Sequence, residues 1–272
     1  MSDAVQEFQI VLAVFGTSAR SSAIYDRLKE RFEERFAQRI PVGFTSRMGS
    51  PSLKNVLEDI SSVKDSEVVI VPLFMIPGRV VLDDVKKVAE EYEHRFKSIR
   101  LARPLLPDDR IYQVVREELL TDLEKLHLKD TGILLVGHGT PESESSLIYR
   151  EVAQKITSLF PPPLQVSFGN IDDSAPYCRD VLGALIMSGI TTLLVQPFMI
   201  VDGVHIHEDI KGALSGLHDQ NALYRQLLEE YGEPFKERLK EIECIYKPGL
   251  GAYPGVFEIF ADHTMRAIND SN

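Results

Sequence analysis

The sequence predicts an α/β protein of two pseudo-symmetric lobes, each a four-stranded parallel sheet flanked by helices. Two observations predict it. Short apolar runs rich in β-branched residues alternate with longer stretches of helical period, the pattern of βα units in a parallel sheet. Eight such runs occur, and they divide into two sets of four that resemble each other in the same order.

In order, the strand candidates are Phe8 to Phe15, Val42 to Thr45, Val68 to Phe74, Ser98 to Ala102, Gly132 to Val136, Leu164 to Phe168, Thr191 to Phe198 and Glu241 to Ile245. Charged amphipathic stretches lie between them, among them Ser22 to Gln38, Val80 to Phe96, Arg110 to Leu126, Ser145 to Leu159 and Pro176 to Met187. Each is long enough for a crossover helix. The first strand and turn of each half read LAVFGTS (Leu12 to Ser18) and LLVGHGT (Leu134 to Thr140). The third strands read VPLFMIPG (Val71 to Gly78) and VQPFMIVDG (Val195 to Gly203), followed by Asp83-Asp84-Val85-Lys86 and Glu208-Asp209-Ile210-Lys211. The repeat places the boundary near Leu128 to Thr131, giving lobes 1–130 and 131–272. The polar stretch Leu214 to Pro234 has no counterpart in the first half and reads as an inserted helix or lid.

Composition narrows the function. With 44% hydrophobic and 26% charged residues the chain can build a packed core. A net charge of -11 excludes nucleic acid as a main partner, because such binders concentrate Lys and Arg against phosphate. The N-terminus is acidic where a secretory signal needs a basic segment, and no apolar run nears the roughly 18 residues of a membrane span. The cytoplasm is the expected location. Cys178 and Cys244 are far apart in sequence and suggest neither a disulfide framework nor a thiolate zinc site; Cys178 is expected as a small core filler.

The two halves differ where chemistry would sit. Phe15 corresponds to His138, Val80 to His205 and Leu82 to His207. Both histidine-bearing segments follow predicted strand ends, where ligands bind in open parallel sheets. His138 stands in Gly137-His138-Gly139-Thr140, where flanking glycines let the backbone turn and leave the imidazole unobstructed to ligate a divalent metal. In Val204-His205-Ile206-His207-Glu208-Asp209 an extended backbone puts His205 and His207 on one face, and a helical one sets His205 beside Glu208 and Asp209. Glu208 and Asp209 also suit a helix N-terminus. Asp172 and Asp173 follow another strand end; Asp172 is the candidate ligand or proton acceptor, while Asp173 or Ser174 suits the cap of a helix from near Ala175. His94, His127, His218 and His263 read as solvated surface residues.

With these residues in view, the chain resembles the class II tetrapyrrole metal chelatases, in particular the anaerobic type of sirohydrochlorin cobaltochelatase. The resemblance runs from Phe15-Gly16-Thr17-Ser18 through Phe44-Thr45-Ser46, Gly137-His138-Gly139 and Gly203-Val204-His205 to Pro248-Gly249-Leu250-Gly251. It implies a chelatase-like pair of lobes around a cleft, and a metal site at His138, His205 and Asp172, where the family prefers glutamate. It further implies insertion of Co2+ into sirohydrochlorin for cobalamin synthesis, with no nucleotide and no membrane partner, iron or nickel being the alternative metals. A homo-oligomer is compatible with it. On this reading lobe 1–130 forms a wall for the macrocycle and lobe 131–272 carries the metal. Arg20, Arg47 and Arg79 are the candidates to offset repulsion between an acidic protein and a polycarboxylate. Competing readings are a tetrapyrrole or metal carrier without turnover, and a phosphoryl-transfer enzyme with His138 as nucleophile. Against the second, Gly137 stands where histidine phosphatases carry arginine.

Overall fold

The structure is a computed structural model that describes residues 8–16, 19–45, 49–62, 66–78, 80–141, 143–160, 162–203, 206–215 and 220–270. Along the chain the elements are β1 (Phe8–Val14), α1 (Ala19–Phe36), β2 (Val42–Phe44), α2 (Leu53–Ile60) and β3 (Glu67–Pro72). A π-helical turn (Val80–Lys86) then runs into α3 (Lys87–Tyr92), followed by β4 (Ser98–Leu101) and α4 (Arg110–Leu123). The second half repeats the order: β5 (Thr131–Gly137), α5 (Ser143–Ser158), β6 (Gln165–Asn170), α6 (Cys178–Met187) and β7 (Thr192–Pro197). A second π-helical turn (Ile206–Ile210) leads into α7 (Lys211–Ser215), and α8 (Ala222–Lys240), β8 (Glu243–Tyr246) and α9 (Pro254–Asn269) complete the chain. All eight expected strands are present. Among the described residues no helix is long and apolar enough to cross a membrane.

Both sheets are wholly parallel, ordered β2-β1-β3-β4 and β6-β5-β7-β8. Central strands covered on both faces must be apolar throughout, which explains the unbroken runs in β1 and β5. Every residue from Ile10 to Val14 and from Thr131 to Gly137 is buried. The repeat extends to individual backbone bonds. Thr45 N–H donates to the Val14 carbonyl at 2.9 Å and Ile171 N–H to that of Gly137 at 2.9 Å; Ala102 N–H reaches Ile70 and Lys247 N–H reaches Val195, each at 2.9 Å. Gly43 and Gly169 hold matching places where a Cβ would come within 2.7 Å of the Cα of Leu53 and of Cys178, so β2 and α2 approach as closely as β6 and α6 do. Cys178 is indeed core filler: it is buried, and burial pushes its thiol pKa up.

The compact units do not follow the expected division at residue 130. One comprises residues 1–111 with 251–272, and the other 112–250. Each fourth strand is therefore followed by a helix that belongs to the other unit. In the second unit, α4 is tied in by Asp122 to Lys247 at 2.5 Å and by Lys155 over the Tyr112 ring at 5.5 Å. In the first, α9 ends under Arg100, whose guanidinium donates to the carbonyls of Ala267, Ile268 and Asp270 at 3.2, 2.8 and 3.0 Å. A cation there offsets the negative end of the helix.

His263, expected on the surface, is buried on α9 with ring nitrogens 3.1 Å from the Arg103 carbonyl and 3.1 Å from Asp108 Oδ2. The stretch Leu214 to Pro234, read as an inserted helix or lid, contributes a helix. Its helix α8, kinked at Gly232, buries Tyr224, Leu227, Phe235 and Leu239 in the core that includes Leu182 and Ile186 of α6.

The Arg110 guanidinium beside Asp108, joined by the Arg110 N–H and the His263 ring, holds the Asp108 carboxyl well below the usual carboxylate range against the opposing effect of burial. A pKa lowered by folding stabilises the native state above the unfolded value and ceases to do so as pH falls toward the folded one. Asp108→Asn is accordingly expected to lose about 2 kcal/mol at neutral pH. The difference from wild type should shrink below about pH 4, as measured by denaturant unfolding across pH.

Candidate metal centre

In the second unit the candidate segments follow the carboxyl ends of β5, β6 and β7. Register pairs Gly137 with Asn170 and Val136 with Pro197, so the loops after all three strands leave one edge of the sheet. His138 follows β5 directly and is exposed. Its counterpart Phe15 is also exposed, at 43%, so this strand-end position faces outward in both units and carries an imidazole in only one. A buried tyrosine recurs in the following helix, Tyr25 in α1 and Tyr149 in α5, and Tyr149 packs beside Gly137.

Asp172 is brought to His138 by the backbone. Ile171 N–H donates to the Gly137 carbonyl at 2.9 Å and Asp172 N–H to that of His138 at 3.2 Å, continuing the ladder one step past the sheet. Gly139, at φ 90°, passes directly beneath the Asp172 carbonyl, and a Cβ there would lie 2.0 Å from that oxygen. Behind the loop, buried Asn170 donates through Nδ2 to the Ser174 carbonyl at 2.8 Å, and Ser174 Oγ accepts from Thr140 N–H at 3.3 Å. Neither Asp173 nor Ser174 caps a helix, because α6 starts at Cys178 with Tyr177 before it. Ser174 instead joins the Asp172 loop to the His138 loop. The carboxylate of Asp172 is exposed.

The third segment is framed but incompletely described. His205 lies outside the described residues, as does the side chain of His207. Residues up to Gly203 are held by the chain after β8: Leu250 N–H donates to the Met199 carbonyl at 2.7 Å, and Gly249 lies so close that a Cβ would sit 2.7 Å from the Ile200 carbonyl oxygen and from Val201 Cα. Gln196 Nε2 donates to the Pro248 carbonyl at 3.1 Å. The motif Pro248-Gly249-Leu250-Gly251 thus serves the loop that leads to His205. The turn Ile206–Ile210 leaves Glu208 exposed and Asp209 half-buried, and Lys211 ends 5.1 Å over the Tyr246 ring.

Among the described residues no group of three or more His, Cys, Asp and Glu forms a metal cluster. The expected anion-offsetting residues also lie largely beyond description: Arg47 and Arg79 fall outside the described residues, and of Arg20 only the helical backbone is described. A cleft of about 910 Å³ in the first unit lies beside β2, lined by Tyr25, Asp26, Lys29, Arg39, Phe44 and Asp59 among others. Its lining holds no imidazole or thiol.

Comparison with known proteins gives these features a context. The family described as cobalt chelatase (CbiK) matches residues 65–269. A sirohydrochlorin cobaltochelatase of Methanosarcina acetivorans is 29% identical over 84 residues, covering 31% of this chain and 64% of its own length. This chain therefore spans less than two thirds of that relative. SirB from Bacillus subtilis, solved with Fe3+, superposes with a TM-score of 0.69 at 14% identity over 96% of each chain. SirB from Bacillus subtilis subspecies spizizenii in complex with cobalt gives 0.68 at 13% identity over 97% of this chain and 96% of its own. At such identities the structural likeness speaks for the fold.

Gly139 provides a test of the loop geometry. Gly139→Ala should cost about 2 kcal/mol or more, since it combines positive φ with a backbone clash. Gly203→Ala, whose Cβ would meet nothing within 4 Å, should be close to neutral. Denaturant midpoints of the two variants measure the difference.

Proposed function

The chain belongs to the cobalt chelatase family, and from that membership we propose that it inserts Co2+ into sirohydrochlorin, a step toward cobalamin, without a nucleotide. The observation that carries the reading is the asymmetry of the strand ends. An exposed imidazole at His138 has the Asp172 loop hung from its own carbonyl, and the first unit offers the exposed ring of Phe15 at the matching position.

The chemistry suits such a donor set. Two imidazoles, from His138 and His205, hold a borderline divalent metal while leaving positions open for transfer; a closed four-ligand site would retain it. Two pyrrolic protons must leave as the metal enters the macrocycle, and Asp172 serves as a further ligand or as their acceptor. Aspartate is one methylene shorter than glutamate, and the backbone bond from Asp172 to the His138 carbonyl supports a short side chain here by drawing its loop toward the histidine. The exposed ring of Phe15 offers an apolar surface suited to a macrocycle, and the reaction takes place in the cytoplasm. Iron is the second reading for the metal, favoured by the structural neighbour solved with Fe3+.

Purified protein with sirohydrochlorin should accelerate the absorbance change of insertion above the spontaneous rate, fastest with Co2+ among Co2+, Fe2+ and Ni2+. Stoichiometric binding without turnover would replace this reading with that of a carrier. His138→Ala should bring insertion down to the spontaneous rate and abolish Co2+ binding with the fold intact. Phe15→Ala should weaken tetrapyrrole binding about tenfold and leave Co2+ affinity unchanged, as read by titration of each ligand.

A further inference from the structure

The ladder pair that ends the first two strands of each unit differs between the units, and it differs together with its surroundings. Val14 pairs with Phe44 at the end of β1 and β2, and Gly137 pairs with Asn170 at the end of β5 and β6. Backbone bonds fix the correspondence. Phe44 N–H donates to the Pro51 carbonyl at 3.0 Å, and Asn170 N–H donates to the Pro176 carbonyl at 2.7 Å. Two residues before each proline, Gly49 holds the place of Ser174. In the first unit the contact is apolar, since Phe44 packs so closely on Gly49 that a Cβ there would overlap its ring. In the second it is polar, made by the Asn170 amide and Ser174.

Asn170 is fully buried. The Ser174 carbonyl can only accept, so the amide nitrogen faces it and Oδ1 is turned into the space that a Cβ on Gly137 would fill. Among the described residues Oδ1 has no hydrogen-bond partner. A buried acceptor left unpaired costs stability. The first unit closes the same backbone bond with phenylalanine and carries no such cost, so the fold by itself does not require the amide. What the second unit adds at this edge is His138, directly after Gly137, and Asp172, two residues after Asn170. Ser174 connects them: its N–H donates to the Asp172 carbonyl at 2.7 Å, and its Oγ accepts from Thr140 N–H at 3.3 Å.

We propose that Asn170 is a positioning residue for the metal centre: from within the core its amide holds Ser174, and through Ser174 it keeps the Asp172 loop in step with the His138 loop, so that carboxylate and imidazole meet one ion together. This rests on the metal reading given above. The amide is retained for its nitrogen, and the unpaired oxygen is what that nitrogen brings with it. Groups that orient ligands without touching the metal commonly change its affinity by about 10- to 100-fold when removed.

Substitution separates this role from a purely structural one. Asn170→Leu keeps the size of the side chain and removes the amide; it exchanges one unpaired buried acceptor, Oδ1, for another, the Ser174 carbonyl, and should melt close to wild type. Ser174→Ala cuts the hydroxyl link to Thr140 and should melt at most slightly lower. Leu239→Ala, in the same core but on α8, supplies the comparison: it should melt below both and bind Co2+ as wild type does. In the intact protein without metal, hydrogen exchange at the amides of Thr140, Asp172 and Ser174 should speed up in Asn170→Leu and Ser174→Ala. With Co2+ as the probe, both should bind at least about tenfold more weakly, with an altered ligand-field absorption spectrum.

Faster exchange with Co2+ affinity and spectrum unchanged would overturn the proposal, as would exchange indistinguishable from wild type. Melting of Asn170→Leu and Ser174→Ala below that of Leu239→Ala would assign the amide to the fold and overturn it as well. His138→Ala run alongside tells the two levels apart. If it loses Co2+ while Asn170→Leu keeps it, the positioning role alone falls; if it retains Co2+, the metal reading falls and takes the proposal with it, even where exchange shows the loops coupled.

Discussion

Parallel pairing of β5 with both β6 and β7 is the constraint on which the site depends. Parallel strands all point the same way, so the segments after them emerge along one edge, and each return to the opposite edge needs a crossover helix. His138, Asp172 and the stretch approaching His205 therefore occupy neighbouring strand ends although they are far apart in sequence. What the sheet leaves loose, short local bonds tighten. Asp172 hangs from the His138 carbonyl, Gly139 slips beneath Asp172, and Gly249 presses on the loop after β7.

The two units keep the same backbone and diverge in what that backbone carries. Thr45 and Ile171 make the same bond, as do Ala102 and Lys247. The difference lies at loop positions, where Phe15 faces outward in one unit and His138 in the other, and in α8, which only the second unit has. Substitution at an exposed strand end costs little packing energy. A repeated scaffold can thus exchange an aromatic ring for an imidazole there while its core stays as it was. Lys247 shows a different kind of divergence: at the place of the first unit's Ala102 it reaches Asp122 and helps keep α4 in the second unit.

The strands and the repeat were legible because buried parallel strands must be apolar throughout, and such runs stand out. The strand-end histidines were legible because the repeat supplied an apolar residue to compare each with. Other features left weaker traces. The helix α2 spans only Leu53–Ile60, too few turns to show a period, although Ser52 caps it. The helix α9 went unread, although Pro254 suits its first turn, and its packing with the first sheet depends on strands far away in the chain. The burial of His263 depends on Arg103 and Asp108, about 155 residues away in the chain. The buried amide of Asn170 was equally hidden, since the sequence reveals a polar residue after a strand run and not the Ser174 carbonyl that its nitrogen meets. Gly249 stood out as part of a motif; its use as a point of close approach needed the fold.

The exchange of α4 and α9 between the units bears on the order in which a newly made chain can complete itself. The second unit is continuous from Tyr112 to Leu250, so all its strands and helices are available once that stretch has left the ribosome. The first unit begins earlier but lacks α9, with the helix end that Arg100 caps and the His263 that meets Asp108. Its β-strands must wait, partly uncovered, through the synthesis of the whole of its neighbour. Exposed strand edges and apolar faces are the hazard of such waiting. During translation the unit that starts first is thus the one that closes last.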